Sequence, residues 1–514
     1  ATPRPAAPRP PQAPTPSPVA AYAPRFEPAG CPFDTLGERV ECGYLVVPES
    51  RAKPDGRQVK LAVAIVRSTA ARPAPDPVVY LEGGPGGSAL YDAAFWFDSP
   101  LRKRRDIVLI DQRGTGYSLP SLNCPEIESA EVVSAEDELA AARACSRRLR
   151  REGVDLKQYN SAATAADVAD LRVALRLEQL NLLGVSYGTR AALTAMRDNP
   201  EGIRSVILDS AYPPQVDAYT EEASNAAAAI ESLLRGCAED RACARAYPKL
   251  DRTFYRLVER LNRAPAALER TDPDTGEVYE EELYGDDLVD YLVEWLYDTT
   301  AIPLLPRAIA ETARGEHNTL LYLLDGPPAD DPGAGEPAEA GASAEGQPAA
   351  SGAPAMDTSA ADAGDISDSE GAFYSVECRE EVIFGDREAA ARTLEGYPSA
   401  IHEALLAGVD QVLAICEVWG AGRARALEER PVTSAIPTLV LAGEYDPVTP
   451  PRWGQAAVAY LSNSFFFEFP GMGHGVFFAG PCPEGIALAF LERPSVAPDA
   501  ACIEQLGGPV FEVP

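Results

Sequence analysis

With 514 residues, 46% of them hydrophobic and 24% charged, the chain has room for two or three domain-sized units with ordinary soluble cores. A net charge of -33 excludes a protein that grips nucleic acid through a basic face, because phosphate contacts need clustered Lys and Arg. Ten cysteines stand beside three histidines with no C-x-x-C pair, which argues against a zinc site and points to no metal and no cofactor.

The cysteines fall as sequence neighbours, and their even count predicts the disulfides Cys31–Cys42, Cys124–Cys145, Cys237–Cys243, Cys378–Cys416 and Cys482–Cys502. Such a framework implies an exported protein, secreted or at the cell surface, in an oxidising environment. The chain begins at Ala1, without Met, and shows no signal-peptide core and no run of about 18 apolar residues. No membrane span is therefore expected, and any export signal or anchor is expected to lie in a part already removed.

Residues 1–28 hold ten prolines and are expected to be an extended, disordered tail. Folded sequence starts near Cys31, with early strands over residues 44–48 and 60–67. Residues 77–82 read as a buried strand that opens into Gly83-Gly84-Pro85-Gly86-Gly87-Ser88. Residues 105–111 form the next strand, and Val168, Leu171 and Leu175 fall at helical spacing within 161–176. An apolar strand at 180–183, a turn at 184–188, a segment of helix formers and another strand at 203–209 follow. This alternation is that of a mostly parallel sheet with helices on both faces, an α/β fold.

From 212 to 430 the pattern turns helical, with amphipathic segments at 226–234, 254–261, 288–296 and 389–413. Inside it, residues 326–371 contain ten acidic residues and no basic one, a composition expected to stay disordered. Sheet pattern returns at 437–442 and 464–469. The helical block is thus an insertion into one α/β domain made of residues 29–211 and 431–514.

Gly184-Val185-Ser186-Tyr187-Gly188 is a G-x-S-x-G pattern placed between strand and helix. Such a sharp turn pushes the serine into the open as a nucleophile. Serine needs a base, usually an imidazole held by a carboxylate. His317 and His402 sit in helical or polar surroundings, whereas His474 lies in Gly471-Met472-Gly473-His474-Gly475, a flexible loop after a strand. Asp446, on the loop after the strand 437–442, is the expected orienting carboxylate, with Glu444 as the fallback. The order Ser186, Asp446, His474 is that of α/β-hydrolases. Two N–H donors should hold an oxyanion: Tyr187 after the nucleophile, and Gly84 on the glycine loop, where Pro85 has no N–H and Gly86 is the alternative.

Together Gly83 to Ser88, Asp111-Gln112-Arg113-Gly114-Thr115-Gly116-Tyr117-Ser118, the serine turn, Gly443-Glu444-Tyr445-Asp446-Pro447-Val448-Thr449-Pro450 and the His474 loop resemble the prolyl-aminopeptidase and tripeptidyl-aminopeptidase family of secreted serine peptidases. The resemblance covers about residues 31–502. It implies an α/β-hydrolase fold, a helical cap over the site and peptide substrates with free N-termini, cut to release a proline, another residue, or a di- or tripeptide. Asp111 and Arg113 resemble that family's structural loop and are expected to brace the oxyanion loop. The chain departs from the family at Glu82, where a His usually precedes the glycines.

An exopeptidase must hold an ammonium, and a buried carboxylate is its natural partner. Glu380 and Glu381, then Glu377, are the candidates, with Glu221 or Glu222 next. Two rival readings share this sequence: a carboxylesterase needs the same triad and no amine site, and a catalytically silent domain needs no triad at all.

Overall fold

The computed structural model describes residues 22–129, 132–271, 278–326, 355–356, 365–382 and 386–514. Its main sheet has nine strands: β1 (Arg25–Ala29), β2 (Val40–Pro48), β3 (Gln58–Val66), β4 (Val78–Leu81), β5 (Ile107–Ile110), β6 (Leu180–Val185), β7 (Ile203–Asp209), and, after the hairpin β8 (Ala266–Thr271) and β9 (Val278–Leu283), β10 (Thr438–Gly443) and β11 (Ser464–Phe469). The strand order is β1-β2-β3-β5-β4-β6-β7-β10-β11. Pairing is antiparallel from β1 to β5 and parallel from there to β11.

Every residue of β4, β5, β6 and β10 is buried, which is why these strands read as unbroken apolar runs. On one face Val79, Leu81, Val108, Leu182 and Val440 pack against the helices Ser161–Ala174 and Tyr187–Asp198. On the other, Val78, Leu183, Leu439 and Leu441 pack against the helix Pro481–Glu492. Each fully buried Leu or Ile in these layers stabilises by about 1.5–3 kcal/mol.

Between β7 and β10 the chain builds a helical block with its own core, including Ile230, Leu233, Phe254, Leu257, Leu288, Leu292 and Ile309. Three features differ from the sequence expectation. The block contains the β8–β9 hairpin, a short exposed ribbon without strong apolar alternation. The segment 389–413 is two helices, Arg387–Thr393 and His402–Trp419, because Gly396 takes φ +107 and Pro398 cannot continue a helix. The stretch 1–28 expected as a tail is folded at its end: Arg25–Ala29 zips onto β2 as an edge strand, where prolines are tolerated, and residues 1–21 lie outside the described residues.

The acidic stretch 326–371 is likewise trimmed at its far end. Residues 327–354 and 357–364 lie outside the described residues. Met356 is buried in the core and its N–H donates to Gly30 O, and Glu370 already opens the helix Glu370–Glu380.

All five neighbour pairs of cysteines are bonded as expected, a framework that suits an oxidising environment. The longest link, Cys378–Cys416, ties the helix Glu370–Glu380 to the helix His402–Trp419. The stretch Ser399–Trp419, with mean hydropathy 1.3, is long and apolar enough by composition to cross a bilayer. Here it is packed into the block, with Val409, Ile415 and Trp419 buried.

Candidate active site

β6 ends at Val185 and the next helix begins at Tyr187, so Ser186 alone turns the chain, at φ +55 and ψ -125. For a residue with a side chain such a conformation costs about 1–3 kcal/mol and persists only where the surroundings impose it. They do so by contact: a Cβ on Gly184 would collide with Gly188 O, and one on Gly188 with Leu81 O. The Ser186 N–H donates to Asp209 O at 3.0 Å.

Asp446 is 2% exposed. Its Oδ1 accepts the N–H groups of Val448 (3.0 Å) and Thr449 (2.8 Å), and its Oδ2 accepts the Thr449 hydroxyl at 2.7 Å. The same Oδ2 lies 2.8 Å from His474 Nδ1. Glu444 takes a different part, accepting the Gly471 N–H at 2.9 Å and so fixing the start of the histidine loop. The His474 N–H donates to Tyr297 O at 3.0 Å, and the two rings sit 4.8 Å apart. A Cβ on Gly475 would lie 3.9 Å from Val185 Cγ1, so the histidine loop meets the nucleophile turn. His317 and His402 are elsewhere, the first preceding the helix Asn318–Asp325 and the second 3.1 Å from Tyr397 O.

Burial by itself would depress His474, but the charge and hydrogen bond of Asp446 outweigh it. Asp209 and Glu82 add to the pull, and the imidazole sits above its ordinary 6.5. Burial would raise Asp446, yet His474 and Thr449 hold it below the usual carboxylate range. Asp209, which the sequence reading passed over, accepts the N–H groups of Val476 (3.1 Å) and Phe477 (2.8 Å), and burial pushes it up to about 6. Its place at the end of a parallel strand was the signal available for it.

The glycine loop lies directly against Ser186, since a Cβ on Gly83 would be 3.0 Å from Ser186 Cβ and 3.6 Å from its Oγ. The Gly83 N–H is used by Glu82 Oε1 at 2.8 Å. Among the described residues no acceptor takes the Gly84 N–H, and the Tyr187 N–H, first in its helix, has no partner within it. The Gly86 carbonyl accepts the Ser369 N–H at 3.1 Å. Asp111 braces the loop as expected: it accepts the Ser88 hydroxyl (2.9 Å) and the N–H groups of Leu90 (3.0 Å) and Tyr117 (2.8 Å). Arg113 braces something else, a two-point pair with Asp167 at 2.7 Å. The neighbour that reaches the loop is Gln112, whose Nε2 donates to Glu82 O at 2.9 Å.

Glu82 Oε2 also accepts the Tyr80 hydroxyl at 2.9 Å. Because the Glu82 charge helps hold a proton on His474, Glu82→Gln is expected to move the acid limb of the kcat/KM profile to lower pH, where the imidazole would then first become a free base. A pH–rate profile checks this, and an unmoved limb would mean that Glu82 is neutral there.

The acidic candidates gather on the helix Glu370–Glu380 and its end, where Val376 packs against Tyr187. Glu380 accepts the Ser161 N–H and hydroxyl, both at 2.7 Å, and pairs with Arg190 at 3.1 Å. Glu381 pairs with the same arginine at 2.5 Å, and burial pushes it up to about 7. Glu377 has no ion pair among the described residues; it accepts a hydrogen bond from Tyr219, and burial and then the Glu381 charge raise it well above the usual range. Glu222 is pushed up to about 7 by burial alone. Glu221 is occupied by Trp453 Nε1 at 2.9 Å and Arg452 at 3.1 Å. Glu380 and Glu381 thus share Arg190 as their ion-pair partner, whereas Glu377 and Glu222 have no ion pair among the described residues.

The one group among the described residues spaced to hold a metal is Cys124, Glu126 and Cys145, and both its sulfurs are spent in a disulfide.

The chain matches the alpha/beta hydrolase fold family over residues 76–481. It is 32% identical over 202 residues to a tripeptidyl aminopeptidase of Streptomyces lividans, a stretch covering 35% of this chain and 37% of that relative's length. It is 26% identical over 490 residues to the serine protease Hip1 of Mycobacterium tuberculosis (strain CDC 1551 / Oshkosh), covering 90% of this chain and 86% of the relative. Among solved structures, a proline iminopeptidase of Mycobacterium smegmatis aligns over 88% of this chain and 98% of its own, at 16% identity and a TM-score of 0.36.

Proposed function

Since the chain belongs to the alpha/beta hydrolase fold family and is similar to serine peptidases, we propose that it is itself a serine peptidase, an exopeptidase cutting peptides near their free N-termini. In this reading Ser186 Oγ attacks the scissile carbonyl carbon while His474 Nε2 takes its proton. Asp446 holds the imidazolium that forms, and the Gly84 and Tyr187 N–H groups receive the oxyanion. Collapse breaks the C–N bond, and His474 returns the proton to the leaving amine. A water then repeats the sequence on the acyl-serine, freeing the N-terminal fragment.

The observation that carries the exopeptidase reading is the surplus of buried carboxyl groups over cations beside Tyr187. Glu377, Glu380 and Glu381 are each 2–3% exposed, and Arg190 is the one cation paired with them among the described residues. Glu377 and Glu222 both act electrostatically on Tyr219, and Glu222 on Tyr297 beside His474. A substrate ammonium placed between them would supply the missing positive charge and hold both carboxylates ionised. The helical block is then the cap that closes the N-terminal side of the site, and an exported location fits the disulfides.

Free and N-acetylated versions of the same short peptide amide test this. Replacing Glu377 or Glu222 by Gln is expected to lower the preference for the free N-terminus about ten- to hundredfold, the worth of a charged hydrogen bond, while leaving the acetylated substrate nearly unchanged. An unaltered ratio in both variants sinks the ammonium site. Fast turnover of simple esters with no response to the amine would favour the carboxylesterase.

A further inference from the structure

Two large aromatic rings stand exposed beside the candidate active site, with no part in the chemistry described above. Phe95 is 55% and Phe478 38% exposed, and they meet edge to face with centroids 5.3 Å apart. Both rest on Trp96, at 5.7 and 5.8 Å, and Trp96 is itself buried against Tyr80 at 4.6 Å. The result is a firm aromatic shelf with its upper surface in water. Exposed rings held rigid from below offer a preformed face on which an apolar or aromatic side chain can stack.

The position of the shelf says what it would bind. Phe478 follows His474 by four residues, on a short turn of helix (Val476–Phe478) whose leading N–H groups are held by Asp209. A Cβ on Gly475 would touch Phe478 Cδ2 at 3.8 Å and Val185 Cγ1 at 3.9 Å, so the ring lies beside the nucleophile turn. Through Tyr80, hydrogen-bonded to Glu82, the shelf also adjoins the start of the glycine loop. His474 must deliver its proton to the departing amine, so the departing half of a substrate lies on the histidine side. The N-terminal half is directed the other way, toward Glu377 on the helix whose Val376 covers Tyr187.

We infer that Phe95, Trp96 and Phe478 form the subsite for the residue that follows the scissile bond, selecting aromatic or large apolar side chains there and disfavouring acidic ones. This rests on the peptidase reading above and adds a substrate preference to it. The discrimination against acids follows from Asp92 and Asp98, exposed at the two ends of the segment that carries Phe95 and Trp96; the charge of Asp92 is already felt at Tyr80 and Glu82. Stacking against two exposed rings is a modest, sequence-tolerant attraction, so the expected selectivity is about tenfold.

The test uses peptides identical up to the scissile bond and carrying Phe, Leu, Gly or Asp after it, with the corresponding primary amide, which has nothing to place on the shelf, as control. For the unaltered protein kcat/KM should fall about tenfold from Phe to Gly and be lowest for Asp. In the double variant Phe95→Ala, Phe478→Ala the Phe, Leu and Gly peptides should come within about twofold of one another, with the Asp peptide still lowest, because Asp92 and Asp98 remain, and the amide unchanged. Both rings are exposed, so the variant should fold, and its Tm checks that. Cleavage without preference in the unaltered protein, or a preference for Phe over Gly that survives the double variant, overturns the subsite alone. Failure to cut any of the peptides overturns the peptidase reading and this inference with it.

Discussion

Ser186→Ala is expected to lower kcat about a million-fold on every amide and ester substrate, and to abolish labelling by a fluorophosphonate probe. The loss is this large because the hydroxyl, the imidazole and the carboxylate act as a unit. His474→Ala should therefore cost about as much, and the double variant little more. Asp446→Asn should cost about ten-thousandfold, since an amide at this position can still accept from Thr449 but favours the wrong tautomer of His474. The backbone strain at Ser186 is set by the glycines around it, so alanine should fold with a Tm close to that of the parent. Substantial labelling or turnover remaining in Ser186→Ala would mean that the nucleophile is another residue.

Arg190→Met is expected to destabilise the fold by about 3–5 kcal/mol, the usual cost of stranding buried charges. Arg190 is 1% exposed, joins the helix Tyr187–Asp198 to Glu380 and Glu381, and lies 5.0 Å from the Tyr212 ring. Without it, two carboxylates face each other in the interior with no cation. The loss should depend on pH in a definite direction. Glu381 is at about 7 even beside the arginine and would rise further without it, while its unfolded value is the ordinary 4.5. Folding of the variant then takes up protons. Its deficit should be small below about pH 4.5, where Glu381 is protonated in both states, and should grow to its full size as the pH rises through the value above 7 that Glu381 takes without the arginine. Denaturant unfolding at pH 5 and pH 8 measures both ends. A deficit under about 1 kcal/mol at pH 8 would show that the pairing contributes little.

Much of this architecture was legible in the sequence for a physical reason. The strands of the parallel part are buried on both faces, so they had to be apolar throughout, and the turns at their ends had to hold glycine where backbones come within contact distance. Gly184 and Gly188 are informative because Gly188 O and Leu81 O leave no room for a Cβ. The pairing of Asp446 with His474 followed from loop positions after consecutive parallel strands. What sequence hid was tertiary. β1 forms in a proline-rich stretch because β2 offers it an edge. The β8–β9 hairpin has little apolar alternation to announce it. Ranking three glutamates within five residues depended on where one arginine, nearly two hundred positions away, would point.

The segment just before the helix Glu370–Glu380 has a consequence for redesign. Ser88 donates its N–H to Ser367 O, and Gly86 accepts from the Ser369 N–H, so the chain leading into the acidic helix is stitched to the loop that presents Gly84. The helical block and the sheet domain therefore share a seam at the glycine loop. Exchanging the helical block for that of a relative, in the hope of changing only which peptides are accepted, would also release the glycine loop, with the proposed donor Gly84, from its register. Chimaeras cut anywhere between residues 365 and 370 should lose turnover as well as affinity, whereas those that retain Ser367 to Ser369 with the sheet can vary the remainder of the block with kcat preserved.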